Sequence, residues 1–198
     1  VYENYKSNPK QFVDRIDRMG LNKPLGLPFQ GEGTPKIPQP SEKTWSAISL
    51  PWMAFGYGVA VTPLQTLTLY NAIANNGEMV KPQFVSEIKE WNKSIKKYDT
   101  QVINPKICND VTLSKVHALL ENVVKKGTAK TLYSKDFSMA GKTGTAQANY
   151  WTNGKKDVHY ISSFVGYFPA DKPKYSCIVV VHKPDTSKND YYGADVAG

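Results

Sequence analysis

The sequence predicts a mixed α/β domain in which helices flank an antiparallel sheet. The three predicted helices all lie in the first two thirds of the 198 residues, and three strand patterns separated by turn signals fill the last third. Successive strands joined by short turns normally pair in antiparallel fashion. The length suits one hydrophobic core, so residues 1–198 are expected to belong to a single domain.

The first helix is predicted from its two ends. Asn8 can cap it, Pro9 suits its first turn, and Gly20 can end it. Its buried face is predicted from apolar residues at helical spacing: Phe12, Val13, Ile16 and Met19. Residues 21–54 are rich in Pro, Gly and Ser without a clear period, which predicts a long ordered loop.

The second helix is predicted to begin at Thr62-Pro63-Leu64-Gln65, because Thr62 and Gln65 have the spacing of a capping box. The Asn76-Gly77 pair is expected to end it. Beyond it, the pattern predicts a strand over Met79–Ile88 and an exposed turn or short hairpin over Asn92–Thr100.

A third helix is predicted to open at Asp110 and stop at Gly127. Its apolar residues recur at helical spacing: Leu113, Val116, Leu119, Leu120 and Val123. The three strands are then expected at Phe137–Gln147, Tyr160–Phe168 and Tyr175–His182, with turns at Asn153-Gly154 and Pro169–Pro173. The run Cys177–Val181 is continuously apolar, which predicts a strand covered on both faces and a Cys177 side chain packed inside.

Composition excludes several classes of protein. Hydrophobic residues make up 40% and charged residues 21%, as in a folded domain rather than a disordered one. The net charge is +8, but the lysines are scattered, so solvated lysines explain it better than nucleic-acid binding. No apolar run approaches the roughly 18 residues of a membrane span. The histidines are widely spaced and the two cysteines fit no metal or redox pattern, so no metal or cofactor is predicted: His117, His159, His182, Cys108 and Cys177.

The segment 141–147 carries the strongest chemical signal. On a strand facing a cleft, Lys142 would bring a positive charge near a nucleophile and a carboxylate-bearing substrate. Beside it Thr143 offers a hydroxyl, and Gly144 lets a substrate backbone approach the strand closely. Thr145 can donate its backbone N–H to an oxyanion and its hydroxyl to a carboxylate. An ordinary edge strand with a surface lysine would account for Lys142, Thr143 and Gly144 equally well.

The Lys142-Thr143-Gly144 triplet is one motif of the penicillin-recognising serine enzymes. Further similar segments follow in order through nearly the whole chain: Phe55-Gly56-Tyr57-Gly58, Val61-Thr62-Pro63-Leu64-Gln65, Gly127-Thr128-Ala129, Phe164-Val165-Gly166-Tyr167-Phe168-Pro169-Ala170 and Tyr191-Tyr192-Gly193-Ala194-Asp195-Val196-Ala197. Together they resemble the C-terminal part of the transpeptidase domain of class B high-molecular-weight penicillin-binding proteins. The pattern favours the cell-division branch over the elongation branch.

The resemblance implies a fold and an activity. The fold is a five-stranded antiparallel sheet flanked by helices, as in serine β-lactamases. The activity is D,D-transpeptidation in peptidoglycan biosynthesis, in which a serine is acylated by a stem peptide and an acceptor amine takes the acyl group. It further implies that β-lactams bind, and that the parent protein is anchored outside this chain and works on the periplasmic side of the bacterial inner membrane.

Site residues follow from the resemblance by motif only. Catalytic positions are implied at Lys142, Thr143, Gly144 and Thr145. Substrate-binding positions are implied at Thr143, Thr145, Tyr160, Tyr191 and Tyr192, although tyrosines are also common in half-buried strands and turns.

Two motifs of the resembled family, Ser-x-x-Lys and Ser-x-Asn, are expected upstream of Val1. The look-alikes in the chain are interpreted as chance matches: Ser7-Asn8-Pro9-Lys10, Ser94-Ile95-Lys96-Lys97 and Ser187-Lys188-Asn189. The chain is therefore expected to be an inactive part of the domain, without its N-terminal strands and C-terminal helix. Tyr175–His182 would then have an unpaired edge that could pair with another chain.

Two other functions remain open at this stage. One is a β-lactam-sensing domain of the same fold without enzymatic activity. The other is a basic binding module with no catalytic parent, which the net charge of +8 would suit.

Overall fold

The computed structural model describes residues 1–149, 158–186 and 190–198. By its internal contacts the chain divides into two compact units, residues 1–69 with 78–107 and residues 70–77 with 108–198. The turn predicted at Asn153-Gly154 lies outside the described residues. Among the described helices, none is long and apolar enough to cross a membrane.

The first unit contains short helices and two small sheets. Its helices are α1 (Tyr2–Tyr5), α2 (Pro9–Arg18), α3 (Ser49–Ala54) and the start of α4 (Pro63–Ala74). Strand β1 (Met79–Val80) pairs with β4 (Val102–Asn104), and β2 (Glu87–Glu90) pairs with β3 (Lys93–Lys97), both antiparallel.

The core of the first unit confirms the predicted face of α2. Val13 is fully buried and packs in one cluster with Ile37 and Met53, against which Phe12 and Ile16 are also packed. Ile37 belongs to the predicted loop, which therefore supplies core side chains although most of it is irregular.

Helix α3 corrects the prediction that residues 21–54 form a loop throughout. Leu50 and Met53 are both buried, one turn apart, so tertiary burial of one face stabilises this short helix. Pro51 contributed to the loop prediction. It is tolerated in the first turn of this helix because the first N–H groups of a helix have no intrahelical partner.

The capping box of α4 is confirmed. The Thr62 N–H donates to Gln65 Oε1 at 2.8 Å, and the Gln65 N–H donates to Thr62 Oγ1 at 3.1 Å. Asn76 and Gly77 follow the helix with φ of 54° and 88°, the left-handed conformation expected of a helix stop.

The predicted strand over Met79–Ile88 is wrong in extent. Strand β1 ends at Val80, and Pro82 soon follows, which lacks the N–H that a ladder needs. The hairpin over Glu87–Lys97 also begins earlier than predicted. Its turn is Trp91-Asn92, whose positive φ values of 47° and 65° suit a tight hairpin.

The second unit contains the predicted antiparallel sheet. Strands β5 (Ala140–Ala148), β6 (His159–Phe168) and β7 (Tyr175–His182) lie in that order, so β5 and β7 are the two edges among the described residues. The predicted turn at Pro169–Pro173 is confirmed, since the Lys174 N–H donates to the Phe168 carbonyl across it at 3.1 Å.

Helix α5 (Asp110–Lys126), the 3-10 turn Lys130–Leu132 and α6 (Gly193–Val196) complete this unit. Its core cluster joins the end of α5 to the sheet and to α6 through four buried residues: Val124, Ala129, Phe164 and Ala197. Leu119, predicted on the buried face of α5, is 65% exposed. Leu113 and Leu120 define the face that is buried, and Leu119 lies beside it.

Strand β7 is also less buried than its apolar run predicted. Its side chains alternate between exposed and half-buried, and Cys177 is exposed with a free thiol. Continuous apolar sequence cannot say whether a second layer is present. Val181 packs against the core cluster, whereas Tyr175 and Val179 on the same face of the strand are exposed.

Candidate active site

The Lys142 side chain is exposed on the edge strand β5. Its Nζ donates to the Thr143 carbonyl oxygen at 2.8 Å and lies 3.4 Å from Thr143 Oγ1. The ammonium is thus held beside a hydroxyl while it remains open to solvent. It forms no ion pair within the described part of the chain, so it can bind an anionic group of a ligand without first breaking one there.

Thr143 is held in turn by Thr128, whose Oγ1 lies 2.9 Å from Thr143 Oγ1. Thr128 comes directly after the end of α5, where a Cβ on Gly127 would lie 2.8 Å from Val123 Cα. Only glycine lets the chain leave the helix this closely. Ala129 is fully buried and donates its N–H to the Val123 carbonyl at 3.1 Å, which fixes the other side of Thr128.

Thr145 is positioned by the C-terminal segment. The Gly193 N–H donates to Thr145 Oγ1 at 3.0 Å. A Cβ on Gly193 would lie 2.4 Å from the Ser163 carbonyl oxygen and 2.6 Å from that of Gly144. The absence of a side chain therefore lets α6 approach the strand, and the Thr145 hydroxyl keeps its own proton to donate elsewhere.

Gly144 has a packing role that sequence reasoning did not foresee. A Cβ at this position would lie 2.6 Å from Ser163 Oγ on the neighbouring strand. The side-chain position of Gly144 is thus already filled by β6, which is a reason for glycine independent of any approaching substrate.

These elements enclose a pocket of about 370 Å³. It is lined by residues from three places in the chain: Thr128 after α5, Lys142, Thr143 and Thr145 on β5, and Tyr192, Gly193, Ala194 and Asp195 at α6. One ammonium and several hydroxyls thus converge on one concave surface. This combination suits a carboxylate.

The three predicted tyrosines form a stack. The rings of Tyr160 and Tyr191 lie 4.1 Å apart at 16°, and those of Tyr191 and Tyr192 lie 4.7 Å apart at 29°. Ser162 Oγ donates to the Tyr191 carbonyl, which ties the stack to β6. Of the three, Tyr192 lines the pocket. A hydrogen bond with Tyr191 raises the pKa of Tyr192 above its ordinary value, and the ionised form of Tyr191, desolvation and the Asp195 carboxylate raise it further.

Sequence reasoning missed the roles of four pocket residues: Thr128, Gly193, Ala194 and Asp195. All lie in the segments 127–129 and 191–197 that carried the resemblance, and this was the available signal. The segments were recognised by pattern, whereas their convergence on β5 depends on long-range packing that local sequence does not encode.

The Ser-x-x-Lys look-alikes within the described residues are not paired as a nucleophile and its base. Ser7 is exposed, and Lys10 Nζ instead contacts Asp14 Oδ1 at 2.6 Å. Ser94 and Lys97 both lie on the exposed strand β3 rather than on a helix. The third look-alike, Ser187-Lys188-Asn189, lies outside the described residues. His117, one of the dispersed histidines, contacts the Tyr167 hydroxyl at 2.6 Å.

Comparison with known proteins identifies the class of protein to which the chain belongs. The family model described as the penicillin binding protein transpeptidase domain matches residues 3–198. The chain therefore belongs to the penicillin-binding transpeptidase family, as the resemblance predicted.

Particular relatives narrow the comparison. The chain is 32% identical over 178 residues to stage V sporulation protein D of Bacillus subtilis, covering 85% of this chain and 26% of that protein. It is 31% identical over 186 residues to peptidoglycan D,D-transpeptidase FtsI of Escherichia coli K12, covering 93% and 29%. The chain thus spans between a quarter and a third of the length of these relatives. The FtsI proteins among them support the favoured cell-division branch.

Solved structures confirm the fold. Penicillin-binding protein 3 of Mycobacterium tuberculosis, in its apo form, has a TM-score of 0.77 and 26% identity, with 96% of this chain and 44% of that one covered. The same protein complexed with ampicillin has a TM-score of 0.74 and 27% identity, with 89% and 40% covered. The mixed α/β architecture with an antiparallel sheet is therefore that of the penicillin-binding transpeptidases.

Proposed function

We propose that this chain forms one wall of a D,D-transpeptidase active site in a longer protein. This Lys-Thr-Gly wall consists of Lys142, Thr143, Gly144 and Thr145 on β5. The nucleophilic serine and the Ser-x-Asn motif come from another segment of that protein. The observation that carries the proposal is the pocket in which Lys142 Nζ lies beside the Thr143 hydroxyl, with Thr145 on the same strand.

The wall is suited to the carboxylate of a stem peptide or of a β-lactam. Lys142 supplies the positive charge, and Thr143 and Thr145 supply hydroxyl donors at neighbouring positions along the strand. Because Gly193 donates to Thr145 Oγ1, the hydroxyl proton of Thr145 is left for the ligand. The backbone N–H of Thr145 is assigned to the oxyanion. Gly144 lies between the two threonines, where Ser163 Oγ of β6 occupies the space of a side chain.

In this proposal the serine oxygen attacks the penultimate D-Ala carbonyl of the donor stem peptide. The peptide C–N bond breaks, the terminal D-Ala leaves as a protonated amine, and an acyl-serine ester remains. The amine of an acceptor stem peptide then attacks the ester, forms the cross-link and returns the proton to serine. A β-lactam would acylate the same serine when its ring opens.

The 198 residues alone are proposed to be inactive, since the serine look-alikes within the described part of the chain lack a lysine partner. The parent protein is proposed to act on the periplasmic side of the bacterial inner membrane, held there by an anchor outside this chain. Its proposed ligands are peptidoglycan stem peptides and β-lactams. We further propose that the isolated chain self-associates through the edge of β7.

The test is fluorescent-penicillin labelling of the parent protein. Lys142→Ala is expected to slow labelling by about a hundredfold, the equivalent of losing a charge-assisted hydrogen bond of about 3 kcal/mol to the ligand carboxylate. The matched control Lys172→Ala removes an exposed lysine from the loop between β6 and β7, and it should label like the wild type. An unlabelled wild-type parent, or a Lys142→Ala variant that labels normally, would refute the proposal.

A second readout separates an enzyme from a sensor. Both would be labelled by penicillin, but only a transpeptidase should release D-Ala from a stem peptide that ends in D-Ala-D-Ala. Labelling without release of D-Ala would identify the β-lactam-sensing alternative.

A further inference from the structure

The pocket carries two charged groups among its lining residues, and they have opposite signs. Lys142 belongs to the Lys-Thr-Gly strand, whereas Asp195 belongs to α6. The proposed carboxylate subsite uses the lysine and leaves the aspartate without a role. A carboxylate in a wall that binds carboxylates would by itself repel the ligand.

Asp195 is held in place by its backbone. Its N–H donates to the Tyr192 carbonyl at 3.0 Å, and the preceding residues Gly193 and Ala194 are buried. Because Gly193 packs directly on the backbone of β5, this part of α6 cannot shift outward without losing that contact. Asp195 is therefore fixed at the pocket rather than carried on a free tail.

The Asp195 side chain is nevertheless exposed. Within the described residues its carboxylate makes no hydrogen bond and no ion pair shorter than 4.0 Å. Lys142 Nζ bonds to Thr143 instead. The two opposite charges thus line one pocket without forming an ion pair, which leaves an anion-binding and a cation-binding group for a ligand.

We infer that Asp195 is a specificity-determining residue that selects ligands carrying an ammonium group in addition to their carboxylate. The inference rests on the proposed function, because it assigns the carboxylate of the same ligand to Lys142 and the threonines. The ligand class is a zwitterion: a stem peptide with a free side-chain amine, or an aminopenicillin. Asp195 contributes to the choice of ligand and takes no part in bond making.

The test uses three penicillins that differ at one side-chain carbon. Benzylpenicillin carries hydrogen there, ampicillin an ammonium and carbenicillin a carboxylate. Acylation rates of the parent protein are measured by competition with fluorescent penicillin, and each Asp195→Asn rate is divided by the wild-type rate for the same drug. This ratio removes differences in the reactivity of the drugs themselves.

For Asp195→Asn we expect the ampicillin rate to fall about threefold and the carbenicillin rate to rise about threefold, as for a partly exposed charge pair. Benzylpenicillin should be unchanged. Both effects should shrink as salt is raised, because exposed charges are screened. Asp136→Asn is the matched control: it makes the same change in net charge at an exposed residue that does not line the pocket, and it should alter none of the three rates.

Equal changes for all three drugs would overturn the inference, because Asp195 would then act only on their common carboxylate. Unchanged rates for all three would overturn it as well, while leaving the proposed function intact. Failure of all three drugs to acylate the wild-type parent would overturn the inference and the proposed function together.

Discussion

The two edges of the three-stranded sheet differ in almost every physical property. Edge strand β5 carries an ammonium, two threonine hydroxyls and glycine, and α6 packs against it. Edge strand β7 is uncharged from Ser176 to Val181, with Tyr175 64% and Val179 41% exposed. Both pair only with β6 among the described residues. Composition therefore decides what an open edge can bind: β5 suits a small anionic ligand, and β7 suits another apolar strand.

The largest predicted effect tests the packing that shapes the β5 edge. Gly193→Ala places a methyl group 2.4 Å from the Ser163 carbonyl oxygen, so α6 must move away and the bond to Thr145 is lost. We expect a loss of about 3 kcal/mol in the free energy of unfolding, measured in urea.

The matched control for this change is Gly31→Ala. Gly31 has φ of 91° but no atom within 4 Å of an added Cβ, so only backbone strain applies. A loss of about 1 kcal/mol is expected. Equal losses at the two positions would show that the contact of Gly193 with β5 is not important.

The second prediction concerns β6, the strand that both edges share. Burial, and to a lesser extent the charges of Glu121 and Tyr70, raise the pKa of Tyr167 to about 12. The neutral phenol is favoured in the folded state, so this stabilisation is complete below about pH 10 and disappears as the pH rises to 12. Between pH 9 and 12 we expect the free energy of unfolding, measured in urea, to fall by about 2 kcal/mol because of Tyr167. Tyr167→Phe has no phenol to ionise, so its free energy of unfolding should lack this fall. An equally large fall in the free energy of unfolding of Tyr167→Phe would show that Tyr167 is not the group responsible.

The third prediction isolates one hydroxyl at the β5 edge. Thr128→Val keeps the side-chain shape but removes the partner of Thr143 Oγ1. In the parent protein we expect acylation by benzylpenicillin to slow about tenfold, the equivalent of one hydrogen bond. Unfolding should be unaffected because Thr128 is exposed. Thr128→Ser keeps a hydroxyl and should be acylated at about the wild-type rate. If Thr128→Ser were acylated as slowly as Thr128→Val, the hydroxyl would be irrelevant.

The smallest predicted effect tests the β7 edge. Self-association of this chain, measured by light scattering with concentration, should disappear in Val179→Lys because edge lysines oppose strand pairing. The cost in the free energy of unfolding should be only about 0.5 kcal/mol, since Val179 is partly exposed. Val179→Thr preserves the branched shape without charge and should still associate. All variants carry Cys177→Ser and are kept in a reducing agent because Cys108 is a second free thiol, so disulfide-linked dimers are excluded. If the isolated 198-residue chain carrying only Cys177→Ser stayed monomeric, the predicted strand pairing would be contradicted.

The same contrast explains how much could be predicted from the sequence. The three strands and the capping box at Thr62 and Gln65 were predicted because their signals are local: alternation, turn residues and residue spacing. Helix α3 and the early start of the hairpin at Glu87 were missed, because tertiary burial and a turn with positive φ at Trp91 decide them.

The residues of the candidate site likewise divide into those predicted from a local motif and those brought in by long-range packing. Lys142, Thr143 and Thr145 were predicted from one short motif, and the structure places all three at one pocket. The contributions of Thr128 and Asp195 depend on how the ends of α5 and α6 reach β5. Cys177 was wrongly placed inside because an apolar run does not reveal whether a second layer covers it.

The most direct test of the account is the crystal structure of the parent protein acylated by ampicillin. We expect the ligand carboxylate within about 3 Å of the Thr143 and Thr145 hydroxyls, with Lys142 Nζ beside it. An acylated serine whose ligand carboxylate binds away from β5 would contradict the central claim that this strand forms the anionic-ligand wall.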